Sequence, residues 1–206
     1  WRIAFVSALV LGLWIHLPVM LSDIPNHDGL SSMYFDQNMI TSGRWFLTVA
    51  CGFSSYFTIP WVIGLIGLIW LALTAAVLTE VLELTDPVTI TVVSGLLVSF
   101  PALASTFAYV FTMDGYMLAL FLAVLAVLFT AKYSRGYLAG AVCLAFSMGI
   151  YQAYLPFTIL LCVYKILLYF MEEKGWKEKA KYVCRYLGMG IAGGVLYYVI
   201  LQILLK

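Results

Sequence analysis

Residues 45–79 read WFLTVACGFSSYFTIPWVIGLIGLIWLALTAAVLT, an unbroken stretch without a charged side chain. As one helix it would extend about 52 Å at 1.5 Å per residue, well past the ~30 Å hydrocarbon core of a bilayer. Something has to interrupt it. Ser54, Ser55 and Pro60 supply the interruption, so 45–53 reads as a re-entrant or interfacial segment and a membrane span follows from about Ile59 to Val81.

The same reading works outward in both directions. Arg2 precedes an apolar run over 3–21 that ends near Pro18 to Asp23. Between it and Arg44, Leu30, Met33, Tyr34 and Ile40 fall at near-helical spacing opposite Ser31, Asp36 and Asn38, with Gly43 where a C-cap belongs. That pattern predicts an amphipathic helix lying on the interface. From Pro87 to Ala131 the only charge is Asp114. So long a run makes two spans, with a turn inside 101–115 that puts Asp114 near a membrane surface. Residues 136–171 repeat the arrangement with Lys165 as the sole charge and Tyr151, Gln152, Tyr154 and Pro156 at the turn. After the charged stretch 172–185, a last span runs from Tyr186 to Leu205.

The predicted fold is therefore all-α: a polytopic membrane protein of about seven transmembrane helices plus an interfacial helix in the first outer loop. Residues 1–206 form a single transmembrane module, 22–44 are the outer loop and 172–185 a cytoplasmic amphipathic segment. Composition agrees, with 64% hydrophobic and 10% charged residues against roughly 25% charged in a soluble domain. A net charge of +1 gives no basis for nucleic-acid binding. Cys51, Cys143, Cys162 and Cys184 lack metal spacing and read as buried small hydrophobes without disulfides. Gly190 and Gly194 read as a close-packing pair in the last span.

Sidedness follows from the cations. With Arg2 cytoplasmic, Lys132, Arg135, Lys165 and the basic residues of 172–185 are cytoplasmic too, leaving Arg44 and Lys206 outside. Asp23, His27, Asp28, Asp36, Asp114 and Gln152 then gather on the non-cytoplasmic face with Tyr109, Tyr116, Tyr151 and Tyr154. A carboxylate there can act as general base on an acceptor hydroxyl, two can hold a divalent cation, and an arginine can bind a phosphate leaving group.

The motifs Pro25-Asn26-His27-Asp28, Ser42-Gly43-Arg44-Trp45, Asp114-Gly115-Tyr116 and Ile150-Tyr151-Gln152-Ala153 together resemble the bacterial O-antigen-modifying glucosyltransferase type II family of the GT-C superfamily. The resemblance covers nearly the whole chain, each motif being short. It implies the amino-terminal seven-span module of a longer enzyme of the bacterial cytoplasmic (inner) membrane, with its amino terminus cytoplasmic. Such enzymes move a sugar, here glucosyl, from a polyprenyl-phosphate-linked donor to a lipid-linked or surface glycan acceptor on the far side. It further implies Asp28 as general base, Asp114 as the second catalytic acid, Arg44 on the donor phosphate, and Gln152 with Tyr151 on sugar or acceptor. His27 stands where family members often carry a second Asp, so the first loop departs from a paired carboxylate. A divalent cation (Mg or Mn) there would be held by His27 and Asp28, against the plainer reading of His27 as a solvated loop residue.

Plainer roles compete with these. Asp28 suits an N-cap before Gly29 and Leu30, Asp114 suits the positive end of its helix, and Arg44 beside Trp45 suits an interfacial anchor. His16 is expected to hydrogen-bond a neighbouring helix, and Lys165 to reach the cytoplasmic surface along its stem. The competing functions are a small transporter or channel with an acidic outer vestibule, disfavoured by the scarcity of acids at mid-span, and a non-catalytic scaffold.

Overall fold

The computed structural model describes residues 1–22, 38–52, 54, 57 and 59–206. The described chain is helical: α1 (Arg2–Leu21), α2 (Leu47–Ala50), α3 (Pro60–Val81), α4 (Pro87–Ser99), α5 (Pro101–Thr106), α6 (Met113–Lys132), α7 (Gly136–Ile150), a 3-10 turn (Gln152–Tyr154), α8 (Leu155–Met171) and α9 (Trp176–Leu204). Among the described residues five helical stretches are long and apolar enough to cross a membrane: α1, α3, α6, the 3-10 turn with α8, and α9. The helices α4 and α7 are apolar but shorter.

Proline punctuates the starts. Pro60, Pro87 and Pro101 open α3, α4 and α5, and Pro156 sits in the first turn of α8. A first-turn proline gives up an N–H that would have no helical partner anyway, and its fixed φ suits the helix. Asp86 completes the start of α4, its carboxylate accepting from the Thr89 N–H and hydroxyl, both at 2.7 Å.

The packing is serpentine. Helix α6 lies between α3 and α7 and also touches α8; α1 packs on α3 and α4, and α9 on α7. Buried Leu68, Leu71, Met113, Met117 and Leu120 join α3 to α6, and Val124, Val127, Leu144 and Met189 carry the core on to α7 and α9. In α9 it is Gly193 that meets its neighbour, at the Ala141 carbonyl and Leu144, whereas a Cβ at Gly190 or Gly194 would touch nothing. This corrects the expected packing pair. The spacing was right for a small-residue face but left its direction open.

One end of the bundle is tied by charge. The Trp1 indole N–H and Lys132 both donate to Glu80 at 2.8 Å, and Lys165 pairs with Glu83. Glu83 has φ 58, the left-handed conformation that closes α3, so the residue that ends the helix also receives the lysine. Lys165 thus does reach toward that end, to a partner the sequence reading had not named. The last span is also different from expectation: 176–185 is no separate segment, because α9 runs without interruption from Trp176 to Leu204. All four cysteines are free, but only Cys51 is buried as expected; Cys143 and Cys162 are half-buried and Cys184 is exposed.

At the other end the helices are broken. Helix α4 stops at Ser99 and Pro101 starts α5, which denies the Val98 carbonyl its onward helical bond. The His16 Nε2–H donates to that carbonyl at 2.9 Å while the ring stacks on Phe107 at 3.8 Å. The expected interhelical bond of His16 is present, and its partner is the carbonyl freed by the break.

Candidate active site at the broken end

A strap from Asn38 to Ala50 crosses this end and carries Arg44. Asn38 to Ser42 form one helical turn, with the Ser42 N–H on the Asn38 carbonyl at 2.9 Å. Gly43 closes it at φ 81, its N–H reaching Ile40 O at 2.9 Å and the Arg44 N–H reaching Met39 O at 2.7 Å. These two bonds are those of a Schellman motif, which needs a left-handed residue at its centre. The C-cap expected at Gly43 is therefore in place. The strap is pinned where the Phe46 N–H donates to the Gly149 carbonyl at 2.7 Å and Trp45 lies flat on Gly149, where a Cβ would come within 2.6 Å of the indole.

Pinning the strap aims Arg44 at the turn after α7. Its Nη1 donates to the Tyr116 hydroxyl at 3.3 Å and its Nε to Ser42 Oγ at 3.0 Å. The remainder of its donor fork, Nη2 included, has no partner among the described residues, and no carboxylate pairs with it there. Tyr116, from the first turn of α6, stacks on Tyr151 at 4.3 Å, and Tyr151 meets Tyr154 edge-on at 5.4 Å. Burial pushes the Tyr151 phenol above its ordinary value; Tyr116 adds to this and Arg44 opposes it. Tyr151 is therefore a neutral hydroxyl at physiological pH, a donor and not a base.

Gln152 is tied to the strap through Tyr197. Its Nε2–H donates to the Tyr197 hydroxyl at 3.0 Å, which in turn donates to the Gly43 carbonyl at 3.0 Å. Tyr197 sits deep in the uncharged run of α9 and reads in sequence as one more belt tyrosine, so nothing there singles it out. Tyr116 was visible within its motif, but its role as the bridge between Arg44 and Tyr151 was not.

Asp114 is at the same end, in the first turn of α6, yet only 5% exposed. Its Oδ1 accepts from Ser54 Oγ at 2.6 Å and from the Gly115 N–H at 2.9 Å. Ser54 also lies 3.1 Å from Cys51 O and 3.3 Å from Phe111 O; with one hydrogen to give, the shorter contact to a carboxylate is the stronger. The interruption expected at Ser54 thus exists, and Asp114 is what holds it. Asp114 faces inward here, not an open cleft.

Beneath Tyr151 and Tyr154 a cavity of about 560 Å³ opens between α4–α5 and α8, walled by Leu97, Phe100, Leu103 and Phe157 and floored by Leu120. Its lining is overwhelmingly hydrocarbon. Leu78 at its far end lies about 27 Å along α3 from Pro60. Arg44, Tyr116 and Tyr151 thus lead from a cation to the mouth of a long apolar trough.

Of the residues expected in the site, Arg44 is linked through Tyr116 to Tyr151, and Gln152 through Tyr197 to Gly43 beside it, whereas Asp114, in the same helical turn as Tyr116, bonds Ser54 and Gly115 instead. Asp28 and His27, and with them the divalent-cation expectation, lie outside the described residues, as do Asp23, Asp36 and the expected interfacial helix up to residue 37. Among the described residues no three His, Cys, Asp or Glu side chains come together.

No curated protein and no solved structure matches the chain. A family model described as glucosyl transferase GtrII matches residues 17–206, almost the full length, with every motif quoted above inside the match. The chain is a member of the glucosyl transferase GtrII family.

Proposed function

We propose that the broken end is the donor site of a GT-C-type glucosyltransferase. The enzyme takes glucosyl from a polyprenyl-phosphate carrier and gives it to a lipid-linked or surface glycan on the non-cytoplasmic side of the bacterial inner membrane. One observation supports this reading: Arg44, whose remaining donors have no partner among the described residues, is linked through Tyr116 to Tyr151, which lines the apolar trough. A donor with a phosphate at one end and an isoprenoid chain at the other matches that sequence of environments. Family membership carries the transferase reading over a transporter or a scaffold.

Seven spans fit the helix list when α4 with α5 counts as one and α7 as another. The end with Arg2, Lys132 and Arg135 is then cytoplasmic. Helix α7 would rise only about 22 Å, so the turn at Tyr151 would lie below the outer surface, at the depth of a lipid-linked phosphate.

In the reaction the Asp28 carboxylate takes the proton of the acceptor hydroxyl as its oxygen bonds to the anomeric carbon. The bond from that carbon to the phosphate oxygen breaks. The polyprenyl phosphate leaves with the electron pair, its charge met by Arg44 and the Tyr116 hydroxyl. Gln152 hydrogen-bonds sugar or acceptor from beside the strap. Asp114 is a positioning residue that holds Ser54. His27 and Asp28 are the residues that would hold a divalent cation, which would supply positive charge to the reacting groups.

The test uses full-length enzyme in membranes supplied with labelled polyprenyl-phosphate glucose. Arg44→Ala should raise the donor KM about 10- to 100-fold, the loss of a charge-assisted contact of about 1.5–3 kcal/mol, and Arg44→Lys should recover part of it. An unchanged KM in Arg44→Ala at equal expression removes the donor-phosphate assignment.

A further inference from the structure

At the end of the bundle opposite Arg44, a second cavity, of about 410 Å³, lies between the last turns of α6 and α8 and the first turns of α9. Lys174, Lys181 and Arg185 line it together with Tyr169, Tyr182 and a single acid, Glu178. Its walls are fixed. Tyr169 and Tyr182 stack at 3.9 Å, and the Tyr182 hydroxyl is 3.1 Å from that of Tyr186. Lys174 pairs with Glu172 at 2.6 Å and lies over the Tyr169 ring at 4.1 Å. Lys181 and Arg185 have no ion pair among the described residues, so the cavity holds more cationic charge than its acid offsets.

The surroundings give its depth. At the α8–α9 corner Met171 is 83% and Trp176 80% exposed, with Phe170 edge-on to Trp176 and the Lys179 ammonium above both rings. Exposed aromatic and thioether side chains flanked by lysines belong at the headgroup boundary of a bilayer. A pocket beside them faces lipid phosphates before it faces bulk water. The carboxyl ends of α6 and α8 contribute negative dipole here, and the amino end of α9 opposes it; the lysine and arginine side chains decide the sign.

We infer that this cavity binds a phosphate group, presented by an anionic phospholipid of the cytoplasmic leaflet, with Lys181 and Arg185 as its principal ligands and Lys174 at the rim. The inference rests on the membrane-spanning reading and not on the donor site. Free inorganic phosphate has the same chemistry, and the test separates the two sources.

The purified chain in detergent is titrated with phosphatidylglycerol or phosphatidylcholine, and bound lipid is counted by native mass spectrometry. Wild type should retain phosphatidylglycerol in preference. The double variant Lys181→Gln with Arg185→Gln should lose about thirtyfold in affinity for it while phosphatidylcholine retention is unchanged. A second pair, Lys177→Gln with Lys179→Gln, makes the same change in charge outside the cavity and should retain the lipid. Equal losses in both pairs, or no preference for phosphatidylglycerol in wild type, overturn the site. Displacement of the lipid by millimolar inorganic phosphate supports the phosphate pocket and assigns its source to water; resistance assigns it to the bilayer.

Discussion

Substituting Gly43 with alanine strikes the joint on which the site is assembled. At φ 81 an alanine costs about 1–2 kcal/mol in backbone conformation alone. Its Cβ would also come within 2.4 Å of the Tyr197 hydroxyl and 2.8 Å of Gln152 Nε2, so both groups must leave. Their departure breaks the bonds from Tyr197 to Gly43 O and from Gln152 to Tyr197, each worth about 0.5–1.5 kcal/mol. The sum, about 2–5 kcal/mol, corresponds to a fall in Tm on the order of 10 °C. Thermal unfolding followed by tryptophan fluorescence in detergent reads it directly. Tyr197→Phe removes the hydroxyl that the new methyl would strike. In that background both hydrogen bonds are already gone, so Gly43→Ala should cost less than in wild type, about 1–2 kcal/mol of backbone conformation plus the displacement of Gln152 Nε2, which has no bond to Tyr197 left to lose. Because Arg44 follows Gly43, the donor KM should rise with the loss of stability. A Gly43→Ala protein melting within about 1 °C of wild type would refute the reasoning, since neither the left-handed turn nor the crowding could then be as described.

Four further outcomes follow from the same contacts. Arg44→Lys should retain more donor binding than Arg44→Ala but less than wild type in transfer kinetics, because lysine keeps the charge and loses the fork. Ser54→Ala should destabilise by about 1–3 kcal/mol, and a double-mutant cycle with Asp114→Asn should show coupling of about 1 kcal/mol or more; if Asp114→Asn instead stops transfer with unfolding unchanged, Asp114 belongs to the chemistry. Glu83→Gln strands the nearly buried Lys165 ammonium and should cost about 1–2 kcal/mol after allowance for solvent around Glu83, most of it recovered when Lys165→Met is added, as chemical denaturation would show. The Thr89 N–H and hydroxyl hold the Asp86 carboxyl below its ordinary value, so its capping contribution is complete above the unfolded pKa near 4 and disappears as pH falls through the lower folded value. Wild type should accordingly lose more Tm than Asp86→Ala between pH 5 and 3.

Much of the framework was legible because charge and proline punctuate it. The break between Ala50 and Pro60, the turn inside 101–115 and the turn at Tyr151 to Pro156 all occur where the sequence demands them; the helix start at Pro87 was readable to the residue, and the one at Pro60 was expected from about Ile59. Period and composition locate elements but do not orient them. Gly190 and Gly194 therefore misled where Gly193 packs, and the continuity of α9 through 176–185 was hidden by a change of polarity that does not interrupt a helix. The site was half legible. Arg44, Tyr151 and Gln152 stood out as polar or aromatic residues at an outer turn, whereas Tyr197 and Ser54 act through contacts across 154 and 60 residues of chain. No local pattern encodes such contacts.

The two ends of the bundle answer one requirement in opposite ways. In hydrocarbon every backbone polar group needs a partner, so broken helices survive only where something else supplies it. At the Glu80 end the helices close regularly and ion pairs tie them. At the Arg44 end the chain breaks at Gly43, between Ala50 and Pro60, at Phe100 and at Tyr151, and each break has a partner. Tyr197 serves Gly43, Asp114 serves Ser54, His16 serves Val98, and the Gly149 carbonyl takes the strap's Phe46. These polar substitutes shorten α4 and α7, which opens the trough and lowers the Tyr151 turn toward it. Straightening α4 by Pro101→Ala should therefore do more than add a helical bond. It would extend α4 toward the space that α5 now leaves, free the Val98 carbonyl from His16, and narrow the trough. The expected result is an equal or higher Tm with a raised KM for long-chain donor and little change for a short-chain analogue. An equal change for both chain lengths would mean that the trough does not hold the isoprenoid.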